Sequence, residues 1–96
     1  MMTAPRENPE PVEQVYYTAG DWKKVAHGLH TRYAVGELPK QIGDFSQHIW
    51  DKASGAEKHK GSDFVLGETL TSSDARVVRE SADNRGVKDV KGRIGS

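Results

Sequence analysis

The stretch Asp21-Trp22-Lys23-Lys24-Val25-Ala26-His27-Gly28-Leu29-His30-Thr31-Arg32-Tyr33, followed by Leu38-Pro39-Lys40-Gln41-Ile42-Gly43-Asp44-Phe45-Ser46-Gln47-His48-Ile49-Trp50, decides the fold class. In the first part Trp22, Val25, Ala26, Leu29 and Tyr33 fall within about 100° of arc when the chain is wound at the helical period, which is one apolar stripe. Asp21 stands where an N-cap carboxylate would accept from first-turn amides, and Gly36 where a left-handed residue ends a helix. A helix over 22–35 follows. In the second part Pro39 suits a first helical turn, and Ile42, Phe45, Ile49, Ala53 and Ala56 extend the stripe begun by Leu38, so the spacing predicts a helix over 39–57. Two amphipathic helices on so short a link are expected to form an antiparallel hairpin.

The segments around this pair carry weaker signals. Gly43 and Gly55 each cost the second helix about 1 kcal/mol relative to alanine, so packing must hold it. Val12-Glu13-Gln14-Val15-Tyr16-Tyr17 fits either a short helix or an extended piece, with the helix slightly preferred. Lys58 to Asp63 reads as a loop. Phe64-Val65-Leu66-Gly67-Glu68-Thr69-Leu70 has strand composition but no evident partner within the chain, so it is expected to be a tether over the hairpin or an edge for a second copy. Thr71-Ser72-Ser73-Asp74 offers caps for a short third helix that carries Ala75, Val78 and Ala82 on one face. Pro5, Pro9 and Pro11 make residues 1–11 a flexible leader. Gly86, Gly92 and Gly95 among basic residues make 84–96 a flexible basic tail, leaving 12–83 as one small helical domain.

Composition narrows the function. Leu, Ile, Val and Phe together number eighteen of 96 residues, a thin core, while fourteen basic and fourteen acidic side chains cancel. A low apolar fraction with no net charge points to a folded centre, and a chain this short without disulfides gains from pairing with a copy or partner. The absence of cysteine excludes thiol catalysis, Cys-ligated metals and redox switching, and suits a cytoplasmic protein. No run approaches the ~20 apolar residues of a membrane span. Residues 69–96 hold six basic against four acidic side chains, far from the basic stripe of a dedicated nucleic-acid binder.

The reactive side chains form no catalytic pattern. His27 and His30 sit one helical turn apart, but no HExxH or similar motif accompanies them, and His30 lies at the border of the apolar face with His27 turned toward solvent. His48 lies about 90° from the second stripe. The hydroxyls of Thr69 to Ser73 lack a nucleophile elbow, and no phosphate-binding glycine pattern occurs. No catalytic residue, cofactor or metal is therefore expected.

The order of Trp22, Phe45, Ala56-Glu57-Lys58-His59 and Leu70-Thr71-Ser72-Ser73-Asp74 loosely resembles the landmarks of pterin carbinolamine dehydratases. That resemblance implies a small enzyme with His59 as general acid–base. The family's adjacent histidines followed by proline are absent, a single His59 being followed by Lys60-Gly61, and no membership is assigned.

The expectation that emerges is a mainly α protein acting as a non-enzymatic interaction or regulatory module, self-associating or binding a protein partner. Its interface would be the two stripes, Trp22, Val25, Leu29, Tyr33, Leu38, Ile42, Phe45 and Ile49, with Trp50 projecting about 100° off the second. The alternative is a nucleic-acid-associated regulator whose tail cations Arg85, Lys88, Lys91 and Arg93 touch phosphates.

Overall fold

The computed structural model describes residues 10–88. Five elements follow in order: strand β1 (Val12–Thr18), helix α1 (Ala19–Ala34), helix α2 (Lys40–Lys60), strand β2 (Val65–Thr71) and helix α3 (Ser72–Asn84). The fold is mainly helical. The two strands are additional to the expected hairpin and change the architecture, because α1 and α2 form the long connection between paired antiparallel strands.

The segment 12–17, given as a helix on balance, is a strand. Its alternation explains this: Val15 and Tyr17 are buried while Val12, Gln14 and Tyr16 point the other way, the two-residue period of a half-buried strand. The partner that 64–70 lacked is this same strand. The register runs Val12 opposite Thr71 through Val15 opposite Glu68 to Thr18 opposite Val65. The seven-residue ladder continues at both ends, with Ser72 N–H donating to the Pro11 carbonyl at 2.9 Å and Ala19 N–H to the Phe64 carbonyl at 2.7 Å.

Each strand turns into its helix through the same device. Thr18 Oγ1 accepts from Asp21 N–H at 3.1 Å, and Thr71 Oγ1 accepts from Asp74 N–H at 3.2 Å. Thr18, not Asp21, is thus the N-cap of α1, and Asp21 sits in the first turn, where a carboxylate complements the helix dipole. Thr18-Ala19-Gly20-Asp21 and Thr71-Ser72-Ser73-Asp74 are two copies of one capping pattern. At the far end of α1, Gly36 (φ 87°) follows the helix and Glu37 N–H reaches back to the Arg32 carbonyl at 2.8 Å, a Schellman stop. Helix α2 runs on through Lys58, His59 and Lys60, where the sequence pattern predicts a loop. Three basic side chains in a last turn face the negative end of the helix dipole and favour that extension.

The core joins all five elements. Val15 and Tyr17 from β1, Trp22, Val25 and Leu29 from α1, Ile42, Ile49 and Ala53 from α2, Leu70 from β2 and Val78 from α3 form one buried cluster. Trp22 is its centre. It is fully buried, its indole N–H donates to the Leu66 carbonyl at 3.0 Å, and its ring meets Tyr17 edge-on at 4.8 Å. The outer ends of the domain are also packed: Pro11 is tied to Ser72, and Val87 is buried with its N–H on the Ala82 carbonyl. Of the residues expected to belong to the tail, Asn84 closes α3 and Val87 is buried in the core. The remaining leader residues 1–9 and tail residues 89–96, with Lys91 and Arg93, lie outside the described residues.

Candidate functional site

The expected interface residues separate into three groups. Trp22, Val25, Leu29, Ile42 and Ile49 are buried within the chain's own core, and Tyr33, Leu38 and Phe45 are partly covered. Trp50 is different, with 39% of its surface exposed. It stands at the mouth of a groove of about 190 Å³ between α1 and α2, with Ala26, Ser46 and Gln47, and with His27 and His30 on the α1 wall. Lys23 Nζ lies 4.8 Å from the Trp50 ring, a cation–π contact. The same ammonium donates to Glu57 at 2.9 Å, and Ser62 Oγ donates to the other oxygen of that carboxylate at 2.9 Å. These bonds, Lys23 first, hold the Glu57 carboxyl below its ordinary range.

The second exposed feature is the sheet. Pairs in an antiparallel ladder alternate between those that exchange hydrogen bonds and those that do not. The bonds at Pro11/Ser72 and Ala19/Phe64 fix the alternation, so Glu13, Val15 and Tyr17 bond to Leu70, Glu68 and Leu66 across the ladder. The N–H and C=O groups of Val12, Gln14, Tyr16 and Thr18, and of Val65, Gly67, Thr69 and Thr71, therefore point away from the partner strand. No third strand pairs with either edge among the described residues. The same eight residues carry the outer face, and none is charged, although 29% of the chain is. On that face the Tyr16 ring lies over Gly67, where a Cβ would come within 2.6 Å of it, and Gln14 donates to Thr69 Oγ1. The charged strand residues Glu13 and Glu68 project to the inner face, where Arg79 and Lys52 pair with them.

His27, His30, His48 and His59 are all exposed, and of them His27 and His30 share the Trp50 groove. No three metal-binding side chains cluster among the described residues. His59, the position implied by the dehydratase resemblance, lies in the last turn of α2 and lines neither the Trp50 groove nor the sheet. Of the tail cations, Lys88 is exposed and Arg85 folds back on α1, its guanidinium 3.1 Å from His27 Nδ1. No helix among the described residues is long and apolar enough to cross a membrane. The sequence singles out Trp50 and offers 64–70 as an edge for a second copy, but not the strand at Val12–Thr18, whose signal is the two-residue alternation of 12–19 together with the repeated Thr-x-x-Asp cap. No protein-family model, curated protein or solved structure matches the chain.

Proposed function

We propose that this protein is a small non-enzymatic interaction module that works by self-association, two copies pairing along the outer edge of β1. The observation that carries this reading is the unprotected edge of a two-stranded sheet. Natural edges are blunted by charged side chains, above all lysine, by inward-pointing charges, by proline, by bulges or by a covering element; the charges these strands carry, Glu13 and Glu68, are already paired on the inner face. Neither β1 nor β2 contains lysine or proline, and the register runs through seven pairs without a bulge. Such an edge offers a row of unpaired backbone donors and acceptors.

The sequence of β1 suits pairing with itself. With the two-fold axis at Gln14, the amide side chains of the two copies face each other, and Val12 lies opposite the partner's Tyr16. That is a β-branched residue against an aromatic, a favourable cross-strand pair. Glu13 falls opposite the partner's Val15, so no like charges oppose one another. Val12 is 62% exposed in the single chain and gains the most cover. β2 is the poorer edge because Gly67 interrupts it. The product is a four-stranded antiparallel sheet, β2-β1-β1-β2, with the helices of both copies on its inner face. Self-association through this edge uses none of the stripe residues that fill the core.

Light scattering over a range of concentrations tests this reading. The mass is expected to rise from 10.6 kDa toward twice that value, and Val12→Lys is expected to stay at the single-chain mass with an unchanged circular dichroism spectrum. A mass that never rises, or a Val12→Lys variant that associates as well as the parent, overturns it.

A further inference from the structure

A cleft between α1 and α3, unrelated to the sheet edge, has the make-up of an anion site. It is lined by Lys24, Gly28, Thr31 and Arg32 from α1 and by Ser81, Asn84 and Arg85 from α3 and its cap. Three of these side chains are cations, three are neutral polar groups, and no carboxylate is among them. The volume, about 580 Å³, exceeds that of a single phosphate.

The placement of Arg85 is specific. Gly28 is buried in the interior of α1, where glycine is unfavourable relative to alanine, and a Cβ there would lie 2.8 Å from Arg85 Nε and 3.4 Å from its Cδ. The missing side chain is the seat of the guanidinium. One end of that guanidinium meets His27 Nδ1 at 3.1 Å. A guanidinium only donates, so Nδ1 is the acceptor in this contact. Arg85 has no carboxylate partner among the described residues. Arg32 is held in place from the other side by Glu37 at 3.0 Å, Glu80 at 3.3 Å and the Ser81 hydroxyl at 2.9 Å. Among the described residues Lys24 has only Asp21, at 3.9 Å. Arg85 and Lys24 are thus the two cations with charge to offer, and Arg32 is an oriented fork between the helices.

We infer that this cleft binds a phosphate-class oxyanion, with Arg85 and Lys24 as its charged ligands and Gly28 as the seat that orients Arg85. Planar guanidinium forks match phosphate oxygens in pairs. The side chain of Asn84 lines the same cleft and carries further donors, while the Thr31 hydroxyl is committed to the His27 carbonyl at 2.9 Å. The phosphate group belongs either to a small phosphorylated molecule or to a nucleic-acid backbone, and both present the same oxygens.

Titration of the intact protein with inorganic pyrophosphate, followed by amide chemical shifts, tests the inference. Saturable binding is expected, with the largest shifts at Gly28, Thr31 and Asn84. Arg85→Gln is expected to weaken it by about tenfold, the loss of a charged hydrogen-bonding group. Gly28→Ala keeps every charge and is expected to weaken it as well, because its Cβ occupies the seat. Lys40→Gln, which removes a cation on α2, is expected to change nothing. A parallel titration with a short single-stranded oligonucleotide separates the sources: tighter binding than pyrophosphate, lost in Arg85→Gln, assigns the backbone, and pyrophosphate binding alone assigns a small ligand. Absence of saturable binding of either probe, or equal weakening by Lys40→Gln, overturns the inference.

Discussion

Three glycines inside helices, Gly28, Gly43 and Gly55, give a quantitative test of how the helices are packed. By helix propensity alone, each change to alanine adds about 1 kcal/mol. Space decides the rest. Nothing lies within 4 Å of a Cβ built on Gly55, so Gly55→Ala is expected to stabilise the protein by that propensity, about 1 kcal/mol. At Gly28 the obstructing atoms belong to the exposed end of Arg85, at 2.8 Å, a flexible side chain that moves at little cost. Gly28→Ala is expected to gain somewhat less than Gly55→Ala. At Gly43 the obstruction is the Tyr33 ring itself, with Cδ2 at 2.6 Å and Cγ at 2.7 Å, and the ring is held by its attachment to α1. Overpacking of this kind costs about 1–3 kcal/mol, so Gly43→Ala is expected to lose about 1 kcal/mol net after the propensity gain. Urea unfolding followed by circular dichroism at constant m-value reads all three. A Gly43→Ala variant as stable as Gly55→Ala would refute the close approach of α1 and α2 at Tyr33.

Other consequences follow from single contacts. Trp22→Phe removes the bond to the Leu66 carbonyl and leaves a void at the centre of the core, and is expected to cost about 2 kcal/mol in the same assay. Thr18→Ala and Thr71→Ala remove equivalent caps and are each expected to cost about 1 kcal/mol, with near-additive effects in the double variant because the sites share no partner. Glu57 and Glu10 are held below the ordinary carboxyl value of 4.5 by hydrogen bonds, from Lys23 and Ser62 in the first case and from Ser73 in the second. A carboxyl depressed on folding contributes stability above its unfolded value and loses it as pH falls through the folded one. The urea midpoint is therefore expected to fall as pH drops below about 4.5, and to fall less steeply in Glu57→Gln.

The helices were legible because their apolar spacing persists for three or more turns: Trp22 to Tyr33 and Leu38 to Ala53 admit only one period. β1 was not, because six residues from Val12 to Tyr17 satisfy a helical and a strand spacing alike. Only the continuation through buried Ala19 separates them. The pairing of β1 with β2 joins residues up to 59 positions apart, Val12 with Thr71, and no local pattern encodes a contact of that range. Strand character at 64–70 was visible, and its partner was concealed by the reading of 12–17 as a helix. The stripe residues were identified as apolar and mutually facing, but length and apolar content did not reveal that a two-stranded sheet and α3 would cover them. Trp50 remained exposed, as its angle off the stripe implied. By sequence Arg85 is one of four tail cations at a spacing near three, and it is the cap at Gly86 (φ 73°) and the bond from Val87 N–H to the Ala82 carbonyl that turn the chain back onto α1.

The most direct test of self-pairing along β1 is hydrogen exchange of the Val12, Gln14 and Tyr16 amides as a function of protein concentration. In the single chain these three N–H groups point away from β2. The expected result is fast exchange in dilute solution that slows in step with the rise in mass, while the Glu13, Val15 and Tyr17 amides stay protected throughout. Fast exchange at all three positions in a sample whose mass has doubled would contradict it, and would place the contact between copies on another surface.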